Sequence, residues 1–188
     1  MRTLKYAILG LLNKKAMTGY DIAKEFKYEL FKFWHARHSQ IYPELKRLAE
    51  EGFVIYDIKI TGDILEKKLY SITEKGQREL LIWLHKDEDI SRTPKDIFRL
   101  RMYFSNNLDL DSRIHLLENQ KMQHKERLNI LKITTEQYTE VPNHNTDRFG
   151  DFIVLEGAIM RQESVIKWID KCIGYCKKAK KEENKKKS

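Results

Sequence analysis

Apolar residues recur along the first half of this chain at two different periods. From Thr3 to Asn13, Leu4, Ala7, Ile8, Leu11 and Leu12 return at i, i+3, i+4, i+7 and i+8, which is one face of a helix. Met17-Thr18-Gly19 then reads as a turn. Thr18 is placed to cap a second helix, whose inner stripe is Ile22, Ala23, Phe26, Leu30 and Phe33. A third helix is predicted from His38 or Ser39 until just before Gly52, with Ile41, Leu45, Leu48 and Ala49 buried. Gly52 is its expected terminator. Pro43 falls in its first turn or just past it, where a missing N–H costs little.

The period then changes from 3.6 to 2. Val54, Tyr56, Ile58 and Ile60 alternate with Ile55, Asp57 and Lys59, which predicts a strand. Thr61-Gly62-Asp63 supplies a turn, and a second strand runs from Leu65 to Ile72. Thr73 caps a fourth helix through Leu84, with Leu80, Leu81 and Leu84 as its apolar positions. Three helices, a β-hairpin and a further helix make a winged helix-turn-helix, with the third helix in the recognition position and residues 59–68 as the wing.

A polar break follows at Lys86-Asp87-Glu88-Asp89 and Ser91-Arg92-Thr93-Pro94, where the linker is expected. Beyond it the pattern is helical. One helix is predicted over Pro94–Phe104. A second covers Leu110–Tyr138, capped by Asp109 or Asp111, with Leu110, Ile114, Leu117, Leu128, Leu131 and Tyr138 apolar. Val141–Asn145 is a loop. The last helix covers Phe149–Lys178, with Phe152, Ile153, Leu155, Ile159, Ile166, Ile169 and Ile173 as its stripe. Two long amphipathic helices cannot bury both apolar faces in so small a monomer, so a second copy of the chain is the economical partner. The expected organisation is a mainly α protein with a small β-hairpin: a winged helix-turn-helix DNA-binding domain over 1–86, a helical dimerisation domain over 94–178, and a basic, disordered tail over 179–188.

Charge sharpens this picture. The 188 residues carry a net charge of +8, distributed as +4 over residues 1–85, −1 over 86–176 and +5 over 177–188. A basic first half suits a polyanionic partner. The two cysteines, Cys172 and Cys176, form no disulfide framework and suit a reducing compartment. No apolar run approaches the ~20 residues that span a bilayer. The stretch Leu4–Leu12 is short and interrupted by Lys5, unlike a signal peptide. A cytoplasmic protein without membrane contact is expected.

Burying one face of the third helix turns Ser39, Gln40, Pro43, Lys46, Arg47 and Glu50 outward. Such a set is either an ordinary solvated face or the reading edge of a recognition helix, whose N-terminal end enters a major groove about 12 Å wide. On the second reading Gln40 pairs with a base edge, and Lys46 or Arg47 reaches guanine or phosphate. Tyr42 on the flank bonds a phosphate oxygen, and Lys67 and Lys68 on the wing grip the flanking backbone. Glu50 is too far along to touch DNA. His35 and His38 are spaced as HxxH, but no further zinc ligands accompany them. There is no nucleophile elbow, P-loop, GxGxxG turn or HExxH, so no catalytic residues, metal or cofactor are expected.

Several segments together resemble the PadR family of transcription regulators. They are Leu4-Lys5-Tyr6-Ala7-Ile8-Leu9-Gly10-Leu11-Leu12, Thr18-Gly19-Tyr20-Asp21-Ile22, Phe33-Trp34, His38-Ser39-Gln40-Ile41-Tyr42-Pro43-Glu44-Leu45, and Glu66 through Gly76 on the wing. The opening Lys5–Gly10 and the stretch Phe152–Leu155 look like the phenolic-acid-responsive branch. The resemblance implies a homodimer that binds an operator of imperfect dyad symmetry and represses. It also implies that a small aromatic effector, such as a hydroxycinnamate, favours a dimer whose recognition helices no longer match one DNA turn of about 34–36 Å. Tyr20, Trp34, His38 and Tyr103 are the candidates for the effector pocket. The chain departs from that branch at Asp151, where a histidine is usual and a carboxylate would repel an anionic phenolic acid. A winged helix serving as a protein-interaction module is the alternative, against which the exposed Gln40, Lys46 and Arg47 argue.

Overall fold

The computed structural model describes residues 2–28, 38–61, 65–90 and 95–187. The chain divides into two compact units, Met1–Ile90 and Ser91–Ser188. The predicted break at Ser91–Pro94, the Gly62-Asp63 turn, and Leu30, Phe33 and His35 lie outside the described residues.

In the first unit the elements are α1 (Thr3–Lys14), β1 (Met17–Thr18), α2 (Gly19–Tyr28), α3 (His38–Glu50), β2 (Val54–Thr61), β3 (Leu65–Ile72) and α4 (Glu74–Leu84). Ile8, Leu9 and Leu12 of α1, Ile22 and Phe26 of α2, and Ile41, Leu45 and Leu48 of α3 close on a single core with Val54, Tyr70 and Leu80. The ends of these helices are set locally. Thr18 and Asp21 form a reciprocal cap: the Asp21 N–H donates to Thr18 Oγ1 at 3.2 Å and the Thr18 N–H to Asp21 Oδ2 at 3.2 Å. Thr73 Oγ1 accepts from the Gly76 N–H at 3.1 Å and so starts α4. At the end of α3, Gly52 takes a positive φ of 74°. The Phe53 N–H reaches back to Leu48 O at 2.9 Å and the Gly52 N–H to Ala49 O at 3.0 Å, a Schellman closure that only glycine adopts without strain.

Three expectations need correction here. Met17 and Thr18 are not merely a turn: they pair antiparallel with Tyr70 and Leu69, so the sheet has three strands in the order β1-β3-β2. The pairing is long-range, and a two-residue strand has no periodicity to detect. Pro43 falls just past the first turn of α3, one of the two places expected for it, and there the Ser39 carbonyl loses its helical donor. Leu81 and Leu84 are more than half exposed, leaving Leu80 and Gly76 as the buried residues of α4. Of the alternating β2 residues, Val54 is buried while Tyr56 and Ile58 are exposed, because the hairpin reaches beyond the core; β2 and β3 pair from Val54↔Ile72 to Thr61↔Leu65.

In the second unit, α5 (Ile97–Tyr103) is capped by Asp96 and followed by a 3-10 turn, Ser105–Asn107. Then come α6 (Leu110–Thr135) and α7 (Asp147–Lys187). Asp109 is the cap of α6, accepting from the Ser112 N–H at 2.7 Å. Two separate apolar clusters hold α6 to α7. Leu131 packs with Leu155, Ala158 and Ile159, and Leu117 with Ile169 and Ile173. Between them His124 Nδ1 meets Gln162 Oε1 at 2.6 Å. The predicted stripe holds except at Ile153, which is 52% exposed. The tail expected to be disordered over 179–188 is instead helical through Lys187. Lysine and glutamate are good helix formers, and neither glycine nor proline follows Gly174 to stop the helix.

Candidate nucleic-acid interface

The outward edge of α3 is as the periodicity requires: Ser39, Gln40, Tyr42, Pro43, Lys46, Arg47 and Glu50 are all exposed, while Ile41, Leu45 and Leu48 are sealed beneath them. Lys46 lies 3.9 Å from Glu50, a loose i, i+4 pair in solvent that leaves the ammonium available. The back of α3 is anchored through Glu44 by Arg2 and Glu51, two residues that no sequence motif singles out. Arg2 donates from Nε and Nη2 to Glu44 Oε1 at 3.0 and 2.6 Å, and from Nη1 to Glu51 Oε1 at 2.5 Å. Glu44 is only 8% exposed. The Arg2 hydrogen bond holds the Glu51 carboxyl below the usual carboxylate range, and these partners push the Arg2 guanidinium further up. No local spacing could signal this fork, since its members are 42 and 49 residues apart.

A second such cluster lies at the foot of the hairpin. Lys5 Nζ donates to Glu79 Oε1 at 2.8 Å and stands 3.9 Å from the Phe53 ring centroid, and Tyr6 Oη donates to the same carboxylate at 3.0 Å. Tyr6 also stacks on Trp83, with centroids 4.8 Å apart. Hydrogen bonds from Lys5 and then Tyr6 lower the Glu79 pKa. Burial, with help from Glu79, raises that of Tyr6. The cluster ties α1 to α4 and to the base of β2.

Between α3 and the wing lies an open groove of about 760 Å³, lined by Tyr20, Tyr42, Lys46, Tyr56, Lys67 and Lys68 among others. Thr18 and Gly19 form its rim, where the Thr18–Asp21 cap sets the chain direction; the Thr18 hydroxyl also lowers the Asp21 pKa. A Cβ at Gly19 would stand 2.7 Å from Tyr42 Cε1, so the exposed Tyr42 ring would have to shift to admit a side chain there. Lys68 Nζ sits 4.1 Å from the Tyr56 ring centroid, and Tyr56 leans on Tyr70 at 5.5 Å. Tyr70 forms the floor, its phenol pushed up by burial.

The groove therefore collects Tyr42, Lys46, Lys67 and Lys68 from the expected DNA-facing set. It also collects Tyr20, expected at an effector pocket. Tyr20 is 69% exposed and stands with the lysines. Tyr56, Tyr70, Thr18 and Gly19 join them unpredicted; strand alternation alone had accounted for Tyr56. Of the other effector candidates, Trp34 and the His38 side chain lie outside the described residues, and Tyr103, in the second unit, is 81% exposed and edge-on to Phe104. Among the described residues no cluster of three His, Cys, Asp or Glu could hold a metal ion. No described helix is long and apolar enough to cross a membrane.

Residues 8–81 match the transcriptional regulator PadR-like family, and residues 94–177 match the family described as virulence activator alpha C-term. The chain is 40% identical over 181 residues to the negative transcriptional regulator PadR of Bacillus subtilis (strain 168), covering 95% of this chain and all of that one. It is similar to the crystal structure of Bacillus subtilis PadR in complex with operator DNA, with a TM-score of 0.87 at 40% identity over 93% of this chain and 99% of that one. The same protein in complex with p-coumaric acid gives a TM-score of 0.84 at 38% identity, over 94% and 99% of the two chains.

Proposed function

This chain belongs to the PadR-like family of transcriptional regulators, and from that premise we propose that it is a homodimeric, sequence-specific DNA-binding repressor that leaves a dyad-symmetric operator when a small aromatic effector, such as a phenolic acid, binds. The observation that carries this reading is the polar and basic edge of α3 standing beside the wing lysines across one aromatic groove. Residues 1–86 take the DNA-binding role. Gln40 reads a base edge, since its amide can pair bidentately with adenine. Lys46 and Arg47 reach guanine or phosphate, with Ser39 and Pro43 at the entering end of the helix. Tyr42, Lys67 and Lys68 hold the backbone, and Tyr20 joins them. Trp34, His38 and Tyr103 are the proposed holders of that effector, and the Asp151 carboxylate disfavours an anionic one.

Residues 94–178 take the dimerising role. Ile97, Leu100, Tyr103 and Phe104 of α5 and its end are each more than half exposed, as are Ile130 and Ile133 of α6. A second copy of the chain is the partner that would cover this apolar surface. A repressor needs no catalytic group, and its place is the cytoplasm with the chromosome.

The test is operator binding by Lys46→Ala and Arg47→Ala as salt is varied. Removing a side chain that neutralises one phosphate makes the log–log salt slope shallower by about 0.9. Removing one that reads a base relaxes the sequence preference instead. Unchanged affinity in both variants, a monomeric protein, or no preference for any duplex over random competitor would overturn the proposal. Failure of every phenolic acid to release the complex would remove the phenolic effector alone.

A further inference from the structure

The lysines of α7 fall into two groups by where they point. Lys177 and Lys180 face α6 and are paired there, with Glu118 at 3.8 Å and with Asp111. From α6 in turn, Lys121 and Lys132 pair with Asp170 and Glu163 of α7. Lys167, Lys171, Lys178, Lys181 and Lys185 are different. At 3.6 residues per turn they share one arc of about 80°, on the side away from Ile169 and Ile173. All five are exposed, and none makes an ion pair among the described residues. A solvated helix face ordinarily alternates acids with bases at i, i+4. This arc carries lysines as its charged groups over about 27 Å, from 18 residues at 1.5 Å each, with Asp170 and Glu182 about 20° outside its two edges.

Two further features suit a rod-like polyanion. Gly174 falls in the same arc, and a Cβ there would meet nothing within 4 Å, so a backbone can approach the helix closely. Beside it Tyr175 is exposed, with Lys171 Nζ 5.9 Å from its ring centroid. A membrane surface fits less well. An interfacial helix needs a clear apolar face to bury in lipid, and the main stripe of α7, from Leu155 to Ile173, packs on α6. Duplex DNA needs only charge, at one phosphate per about 1.7 Å of axis.

We propose that this lysine row is a second, sequence-independent grip on duplex DNA, engaging backbone phosphates outside the bases that α3 reads. The proposal rests on the repressor reading above. Its distal half, Lys178, Lys181 and Lys185, lies past residue 177, where the match to the family of the second unit stops.

The test uses the full-length protein and its triple variant Lys178→Gln/Lys181→Gln/Lys185→Gln, on an operator fragment with long flanks and on random duplex. Each lysine that touches a phosphate contributes about 0.9 to the log–log salt slope. The expected result is a slope shallower by up to about 2.7 per protomer, with the ratio of operator to random affinity unchanged, and a slope kept by the corresponding arginine variant. Helix content by circular dichroism checks that the variant folds. A variant that binds operator with the wild-type slope overturns the proposal and leaves the repressor reading standing. Absence of duplex binding by the wild type sinks both. Vesicles of phosphatidylserine and phosphatidylcholine form the last arm: loss of vesicle binding in the variant, with the DNA slope intact, assigns the row to a lipid surface and refutes the grip on DNA.

Discussion

Replacing Gly76 by alanine places a methyl carbon 2.2 Å from the Phe53 carbonyl oxygen and 2.8 Å from Ile72 Cγ1. Neither neighbour can yield easily. The Phe53 carbonyl accepts from the Thr73 N–H at 3.1 Å and from Thr73 Oγ1 at 3.1 Å, and the Phe53 N–H is bound to Leu48 O. The oxygen is thus pinned by the cap of α4 on one side and the end of α3 on the other. Relief requires α4 to lift by about 1 Å, a strain that overpacked cores meet at a cost of about 1–3 kcal/mol. The lift also weakens the bonds that Thr73 Oγ1 makes to Gly76 and Gly52, at about 1 kcal/mol each. Alanine recovers about 1 kcal/mol of helix propensity. The net expectation is a loss of about 2–4 kcal/mol. Gly10→Ala is the matched control, because Gly10 lies inside α1 with nothing within 4 Å of an added Cβ. It should gain up to about 1 kcal/mol from the same propensity term. Urea unfolding followed by circular dichroism, at one fixed protein concentration, measures both. If Gly76→Ala proved as stable as wild type, or moved in the same direction as Gly10→Ala, the account of how α3, the wing and α4 meet would be wrong.

Three further outcomes follow from the same geometry. Arg2→Ala should destabilise the protein at neutral pH. Glu51 has a folded pKa below its unfolded one, so its share of stability is present above the unfolded value and lost as pH falls through the folded one; the gap between variant and wild type should therefore narrow on acidification, and a gap that widened instead would refute the assignment. Tyr56→Leu removes the ring under Lys68 and should weaken operator binding by about 2- to 5-fold, the worth of an exposed cation–π contact of about 0.5–1 kcal/mol; filter binding at fixed salt would detect it. Asp151→Asn removes a like charge and should lower the concentration of a phenolic acid needed to release operator, read by fluorescence anisotropy; an unchanged titration would separate Asp151 from the effector.

What could be read from the chain alone was what neighbours within a few residues decide. Thr18 and Thr73 were legible as caps, the start of α6 as capped by Asp109 or Asp111, and Gly52 as a terminator, because each acts on backbone groups two to five residues away. The outward edge of α3 was legible because a helix repeats every 3.6 residues, so burying Ile41, Leu45 and Leu48 necessarily exposes Gln40, Lys46 and Arg47. The tertiary structure alone decided what depends on the chain returning to itself. It brought Arg2 to Glu44 and Glu51, laid Met17 and Thr18 on β3, and gathered Tyr20, Tyr42, Tyr56 and Lys68 around one groove. It also sorted the lysines of α7 into those that meet an acid on α6 and those that do not. Such pairings join residues dozens of positions apart, and their free energy comes from desolvation and geometry that no local pattern of residues encodes.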